Sequence, residues 1–294
     1  MRRHWLQVNH IVVGANVANA SRHPVAVALG LARRTGARCT IVSVAPAPSA
    51  MAGSDRDMLA WAQPGLDRLR AWLGPLAEAV RAQEAELAVA FGAVGVELAR
   101  YAERHHADLI VLGRRVGPGD AERPRFTTDQ VVRRARVPCL CLPDGWERLD
   151  PLLVALDGTE RGLSVFANAR DFARHVRSEV RCVTVESVWS GEPDALAAGL
   201  PSSRSSRLIH ALAQLPLIEL RATGALAAAE VAPPPVHVRR GDVVGEVLAE
   251  AAAQDAGVLA IGYRLNGPGG EIAPASIARR LVHGTERAVL TIPL

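Results

Sequence analysis

The stretches Ala107-Asp-Leu-Ile-Val-Leu-Gly-Arg-Arg115 and Ala256-Gly-Val-Leu-Ala-Ile-Gly-Tyr-Arg264 decide the fold of this chain. Each is a short apolar run that stops at Gly-x-Arg, and each is followed by Gly-Pro-Gly. A continuous apolar run of this length predicts a parallel strand that is covered on both faces. The glycines after it predict a loop whose backbone turns tightly or lies close to a ligand.

The residues before these stretches repeat in the same register. Four residues recur 149 positions later in the chain of 294 residues, namely Gly92, Val94, Glu97 and Gly113 as Gly241, Val243, Glu246 and Gly262. The sequence therefore predicts one α/β module present twice, as a first domain over 1–146 and a second over 147–294. The turn-rich stretch from Pro143 to Pro151 is the predicted linker.

Within each copy, strands alternate with helices. Five strands and four helices predict a Rossmann-like, doubly wound parallel sheet, because right-handed crossovers place helices on both faces. In the first copy, Ser21 is predicted to cap a helix over 24–34, and one long helical stretch is predicted from Asp57 to Glu84. Ligands of such sheets bind at the switch point, beyond the carboxyl ends of the strands. The residues at those ends are Asn16 and Gly113 in the first copy and Asp157 and Gly262 in the second.

The stretch Leu152-Leu-Val-Ala-Leu-Asp-Gly-Thr159 resembles the first strand and acidic turn of universal stress proteins. Gly262-Tyr-Arg-Leu265, followed after nine residues by Ala275-Ser276, is similar to their phosphate loop. That loop reads Gly, two residues, Gly, nine residues, Gly and then Ser or Thr. The resemblance covers nearly the whole chain, twice. It implies two tandem five-stranded sheets of the adenine-nucleotide alpha hydrolase-like type, each with strand order 3-2-1-4-5, and ATP as the ligand.

The resemblance also implies roles for residues of the second copy. The carboxylate of Asp157 would accept a hydrogen bond from a ribose hydroxyl or the base, and backbone groups around Val185 would meet the adenine. Glycines allow backbone N–H groups to point at phosphate oxygens, and a helix N-terminus adds a partial positive charge. The implied nucleotide-binding residues are Asp157, Gly158, Val185, Gly262, Arg264, Gly267 and Ser276.

Both copies depart from the family pattern. In the second copy, Leu265 and Ala275 stand where two glycines belong. In the first copy, Asn16 replaces the acid, Val116 replaces the second glycine, and Arg125-Phe126 or Phe126-Thr127 replaces the Gly-Ser pair. Two interpretations therefore stay open: the second copy binds ATP, or the nucleotide-type fold has a pocket that has closed or changed its ligand.

The residue types exclude several chemistries. All 34 basic residues are arginine, which excludes a Schiff-base lysine, a lysine-dependent Walker A loop and a kinase-type strand lysine. Neither a Ser–His–Asp nor a Cys–His arrangement is legible, so catalysis is not expected. The cysteines lie in apolar runs without zinc-ligand spacing, and we expect them to be buried and reduced, with no structural metal. They are Cys39, Cys139, Cys141 and Cys182.

Hydropathy and charge bear on location and partners. No apolar run reaches the roughly 18–20 residues that cross a bilayer, so no membrane association is expected. The basic N-terminus leads into only a short apolar stretch, which argues against a secretion signal and for a cytoplasmic location. The net charge is +4 and aromatic residues make up 4% of the chain, a poor match to a basic, aromatic-rich nucleic-acid surface.

The resemblance implies a non-catalytic adaptor or sensor in stress physiology, regulated by ATP bound in the second domain. The alternatives are a protein-interaction scaffold without nucleotide and a slow ATPase that uses Asp157 and a metal. Because family members pair through their last strands, Cys139–Leu142 is expected to face Ala288–Ile292 as an internal pseudo-dimer. A homodimer of the whole chain is a further expectation.

Two more pairs of residues are candidates for a role. Trp61 and Trp72 lie eleven positions apart in a helical stretch, on similar faces, and are candidates for the interface between the halves. Arg114 and Arg115 follow the fourth strand of the first copy, where they either reach a phosphate or are solvated loop residues.

Overall fold

The structure is a computed structural model. It describes residues 8–18, 21–46, 55–114, 126–186, 206–212, 234–263 and 277–294.

The first half alternates strands and helices from β1 to β5. In chain order the elements are β1 (His10–Ala15), α1 (His23–Thr35), β2 (Arg38–Ala45), α2 (Asp55–Trp72), α3 (Ala77–Ala82), β3 (Glu86–Phe91), α4 (Val94–Arg104), β4 (Leu109–Arg114), α5 (Phe126–Arg134) and β5 (Cys139–Pro143).

The second half repeats this alternation. Its elements are β6 (Leu152–Leu156), α6 (Glu160–Val176), β7 (Val180–Glu186), the helical residues 206–212 as α7, β8 (Val236–Arg240), α8 (Val243–Ala253), β9 (Val258–Tyr263), α9 (Ile277–Gly284) and β10 (Ala288–Pro293). The predicted helical region from Arg204 to Ala229 lies outside the described residues except for α7.

All ten strands form one sheet, in the order β3-β2-β1-β4-β5-β10-β9-β6-β7-β8. Each half has the predicted order 3-2-1-4-5, and strand neighbours within a half are parallel. The halves meet where β5 pairs antiparallel with β10, with Leu140 opposite Leu290, so the last strands face each other as predicted. Because this pair is antiparallel, the carboxyl ends of the strands in the two halves lie at opposite edges of the sheet.

Helices cover both faces of the sheet. Along β1, Ile11 and Val13 join one hydrophobic cluster and Val12 joins the other, because successive strand residues point to opposite faces. The first cluster takes residues from α1 and α6, and the second from α4, α5, α8 and α9. Each cluster contains residues of both halves, so the apolar core continues across the junction. None of the helices in the described part of the chain is both long and apolar enough to span a bilayer.

Two predictions about helices are wrong. The first-half helix has Arg22 at its N-cap without a side-chain hydrogen bond, because the Ser21 hydroxyl instead donates to the Asp144 carboxylate in the linker. The stretch predicted as one helix to Glu84 is interrupted after Trp72. A 3₁₀ turn at Gly74–Leu76 follows, where Pro75 has no N–H for a continuing helix, and α3 then ends at Ala82.

Candidate functional site

Asp157 follows the last residue of β6 and is held there by its own turn. Its Oδ1 accepts hydrogen bonds from the Thr159 backbone N–H at 3.0 Å and the Thr159 hydroxyl at 2.6 Å. Gly158 between them has a φ of +70°, a conformation that favours glycine. Thr159 caps α6, since its hydroxyl oxygen accepts from the Gly162 N–H at 3.3 Å. The carboxylate is exposed, and among the described residues nothing donates to Oδ2.

The first half has a neutral version of this turn. Asn16 follows β1, and its Oδ1 accepts from the Ala18 N–H at 3.1 Å, as Asp157 does from Thr159. Val17 stands in place of Gly158 and does not adopt a left-handed φ. The first half therefore has the turn but lacks the negative charge.

The glycines at the ends of the fourth strands, Gly113 and Gly262, allow helices to pack closely. A Cβ on Gly262 would lie 2.5 Å from Val165 Cγ2 of α6 and 3.0 Å from Leu294 Cδ1. A Cβ on Gly113 would lie 2.9 Å from Pro24 Cγ of α1. The space that these glycines leave is filled by protein atoms, so helix packing accounts for both of them without a phosphate.

Val185 lies in β7 and pairs with Arg239 of β8. Its side chain is half-buried against the second hydrophobic cluster, while its backbone is at the carboxyl end of the strand. The next residue, Glu186, is buried and forms an ion pair with Arg240 at 3.2 Å. Sequence reasoning missed Glu186, although an acid at the end of an apolar run was the available signal.

Several predicted site residues lie outside the described residues. They are Arg264, Gly267 and Ser276 of the second copy, together with Arg115, Val116, Arg125, Leu265 and Ala275. The structure therefore brings Asp157, Gly158, Gly262 and Val185 together at the edge of the sheet where the strands of the second half have their carboxyl ends.

Arg114 corrects one prediction, since it is neither solvated nor directed at a ligand. It is 4% exposed, and its guanidinium donates to the carbonyls of Thr285 at 2.8 Å and Arg287 at 2.6 Å in the other half. Tyr263 occupies the equivalent position of the second half, and its buried hydroxyl donates to the Ala135 carbonyl of the first half at 2.6 Å. Burial raises the pKa of the Tyr263 hydroxyl, which keeps it a donor. The residue after each fourth-strand glycine thus joins the halves.

An ion cluster links α5 to α9 across the same junction. Asp129 Oδ1 lies 2.5 Å from His283 Nε2, and Asp129 Oδ2 lies 3.1 Å from Arg279 Nε. Burial acts to raise the pKa of the Asp129 carboxyl, but the hydrogen bonds and charges of His283 and Arg279 outweigh it, and the pKa is lowered. Sequence reasoning missed this cluster, because its members lie about 150 residues apart and carry no motif.

Trp146 in the linker contacts both halves. Its indole N–H is within 2.8 Å of the Gly257 carbonyl, and its own carbonyl lies 2.7 Å from His23 Nε2 of α1. Trp72, predicted as an interface residue, has the Arg22 guanidinium of its own half 5.0 Å from its ring centroid. The side chain of Trp61 lies outside the described part of the structure.

The cysteines are buried and free, as predicted. Burial raises the pKa of the Cys39, Cys141 and Cys182 thiols to about 12, so they are protonated and unreactive at neutral pH. Within the described ranges, no group of three or more His, Cys, Asp or Glu residues could hold a metal ion.

Comparison with known proteins identifies the family. Residues 7–143 and 149–293 each match the model of the universal stress protein family. The chain belongs to the universal stress protein family. The recognition from sequence is confirmed, as is the fold class, whereas the boundary between Trp146 and Glu147 stays a prediction.

Solved structures with the same fold cover nearly the whole chain. A universal stress protein from Archaeoglobus fulgidus DSM 4304 is 16% identical with a TM-score of 0.65, over 98% of this chain and 99% of that one. A protein of unknown function from Pseudomonas aeruginosa PAO1 is 15% identical with a TM-score of 0.61, over 98% of this chain and 93% of that one. No curated protein matches this chain.

Proposed function

We propose that this universal stress protein is a non-catalytic, cytoplasmic adaptor or sensor in the stress response, regulated by ATP bound in its second half. The observation that carries the proposal is the carboxylate of Asp157, exposed at the switch point between β6 and β9 with Oδ2 available as an acceptor. The corresponding position of the first half is the neutral Asn16, so the proposal assigns the ligand to the second half alone.

The described residues fit a nucleoside at this edge. Asp157 Oδ2 is suited to a ribose hydroxyl, because a carboxylate is a strong acceptor, and Gly158 has no side chain to obstruct it. The backbone around Val185 is the proposed contact of the adenine. In this proposal Arg264, Gly267 and Ser276 contact the phosphates.

One observation favours the alternative, a protein-interaction scaffold without nucleotide. Gly262 belongs to the predicted phosphate loop and is among the described residues. The space where its side chain would stand is filled by Val165 and Leu294. A glycine selected by helix packing would persist in a protein that had lost its ligand. The two functions therefore differ in what Asp157 does, and Asp157 is where they are tested.

Equilibrium binding of labelled ATP to the full-length protein separates them. We expect binding at millimolar ATP or below, and we expect Asp157→Asn to weaken it by about tenfold or more, since a hydrogen bond to a charged group contributes about 1.5–3 kcal/mol. The variant preserves the turn, because the first half forms it with Asn16. Asn16→Asp is the matched control and should leave affinity unchanged. Absence of binding at millimolar ATP would overturn ATP regulation and support the scaffold.

A second measurement tests the non-catalytic part of the proposal. Phosphate release from ATP, followed over hours with the full-length protein and divalent metal, should equal release without protein. Release that depends on protein concentration and is lost in Asp157→Asn would support the slow ATPase instead.

We also propose that the whole chain forms a homodimer. The strands β5 and β10 pair with each other inside the chain, so this dimer would use a different surface. Sedimentation equilibrium is expected to give twice the chain mass, and the mass of one chain would contradict the proposal.

A further inference from the structure

The junction cluster, defined as Asp129, Arg279 and His283, lies on one side only of the approximate twofold that relates the halves. The acid comes from α5 of the first half, and both basic side chains come from α9 of the second. All three side chains are largely or partly buried, with Asp129 12% exposed and His283 20% exposed. Solvent and salt screen partly buried charges less than they screen exposed ion pairs. Partly buried charges therefore contribute more to the specificity with which two surfaces associate.

The equivalent positions, 149 residues away, hold different residues. Asp129 corresponds to Ala278, and Arg279 and His283 correspond to Gln130 and Arg134. Asp129, Ala278 and Arg279 line one small cleft between α5 and α9. The two equivalent positions, Asp129 and Ala278, therefore both lie at the junction between the halves. The first half supplies a carboxylate at this position and the second half supplies none.

This asymmetry separates the ways in which halves can pair. When unlike halves pair, Asp129 meets Arg279 and His283, as observed. If the second halves of two chains paired in the same manner, Ala278 would stand where the acid is needed. The arginine and histidine of both copies would then approach the axis without the Asp129 carboxylate that they contact in the observed junction, which disfavours association.

We propose that the junction cluster is a specificity determinant: it directs each second half to a first half and rejects the second half of another copy of the chain. The strand edges alone do not make this choice, because β5 and β10 expose the same kind of backbone edge in both halves. The choice rests on the acid, which the first half has as Asp129 and the second half lacks at Ala278.

A double-mutant cycle in the full-length protein tests whether the cluster acts as a unit. Asp129→Asn should lower the midpoint of urea unfolding, and Asp129→Asn combined with Arg279→Gln should lower it little further, because the first change already breaks the pair. The matched control is Glu103→Gln, which breaks the exposed pair between Arg136 and Glu103 at 3.6 Å and should leave the midpoint unchanged. Fully additive losses would overturn the proposal.

A gain of pairing tests the specificity itself. Ala278→Asp gives the second half its own carboxylate beside Arg279, so two second halves could neutralise each other. After refolding from urea at high protein concentration, full-length Ala278→Asp should form a species of twice the wild-type mass, in a fraction that grows with concentration. The matched control Ala278→Asn and the wild type should recover only the wild-type mass. Equal mass distributions for the Asp and Asn variants would overturn the proposal.

Discussion

The turn after β1 and the turn after β6 have the same hydrogen bond and different charge. In each, a side-chain oxygen accepts from the backbone N–H two residues later, at 3.1 Å for Asn16 and 3.0 Å for Asp157. An amide oxygen makes this bond as well as a carboxylate does, so the turn itself does not require an acid. The turn therefore does not require the negative charge of Asp157, and under the proposed function that charge serves the ligand.

A second comparison concerns the residues after the fourth strands. Arg114 and Tyr263 are unlike in chemistry but have one role, since each donates from a buried position to carbonyls of the opposite half. The halves thus differ in side chains while preserving the places where they meet.

Replacing these two residues should give the largest effect on stability. Arg114→Ala removes the donors of two carbonyls and leaves a cavity, and we expect a loss of about 3 kcal/mol in the free energy of unfolding. Tyr263→Phe preserves the ring and removes one hydrogen bond, with an expected loss of about 1–2 kcal/mol. Urea unfolding of both variants beside the wild type measures the difference. If both variants lost the same free energy of unfolding, the additional hydrogen bond and the buried guanidinium of Arg114 would contribute nothing to the stability of the junction.

The fourth-strand glycines should rank next. Gly262→Ala places a Cβ 2.5 Å from Val165 Cγ2, and overpacking of this kind costs about 2 kcal/mol. Gly113→Ala meets only the ring of Pro24 at 2.9 Å and should cost about 1 kcal/mol. Adding Val165→Ala to Gly262→Ala should give a smaller total loss than the two single losses together. Strict additivity would contradict packing as the reason for the glycine.

The sequence predicts the fold well where one physical signal dominates. The continuous apolar runs of β4 and β9 predicted buried parallel strands, because only a strand covered on both faces has no polar side. The N-cap prediction at Ser21 failed because capping depends on where the hydroxyl points, and Asp144, more than 120 residues away, takes that hydroxyl. Local signals thus predict elements, and long-range contacts decide their ends.

The site was harder to predict than the fold. Asp157 could be singled out because it ends an apolar strand, but nothing local distinguishes Arg114 from a solvated loop arginine. Its burial depends on the other half of the chain, which supplies the carbonyls of Thr285 and Arg287. The glycine pattern is equally ambiguous, because close helix packing and phosphate binding both require a residue that has no side chain.

His10 should make the first half sensitive to pH. Burial lowers its pKa, and the Arg38 guanidinium, 3.0 Å from Nδ1, lowers it further, while the His105 carbonyl, Glu86 and Asp108 act in the opposite direction. In the neutral ring, Nε2 lies 2.9 Å from the hydroxyl oxygen of Thr40. The second half has Pro151 at the equivalent position and so has no counterpart.

Because the folded state holds the pKa of His10 below its ordinary value of 6.5, protonation favours unfolding. Stability from this group is complete above pH 6.5 and declines as the pH falls below that value. The test is urea unfolding at pH 7.5 and pH 5.5 of wild type and His10→Gln, in which the wild type should lose more. A parallel decline of the two proteins would show that other groups account for the pH dependence.

The smallest expected effect concerns the caps of α4 and α8. Ala93 and Asp242 have nearly the same backbone angles, φ −78° and ψ 120° against φ −70° and ψ 124°. Asp242 Oδ2 accepts from the Gly245 N–H at 2.9 Å, whereas α4 has no side-chain cap. The backbone of the first half is thus already shaped for a cap that its sequence does not provide.

Ala93→Asp should therefore stabilise the protein by about 0.5–1 kcal/mol, and Asp242→Ala should destabilise it by about 1 kcal/mol. The ion pair of Asp242 with Arg280 at 3.8 Å adds little, since both side chains are more than half exposed. Thermal unfolding at low and high salt distinguishes a cap from a charge effect, because a hydrogen bond to the helix N-terminus persists where an exposed ion pair is screened. If Ala93→Asp gave no gain while Asp242→Ala gave a loss, the matched backbone angles would not be sufficient for capping, and the two halves would differ in backbone as well as in side chains.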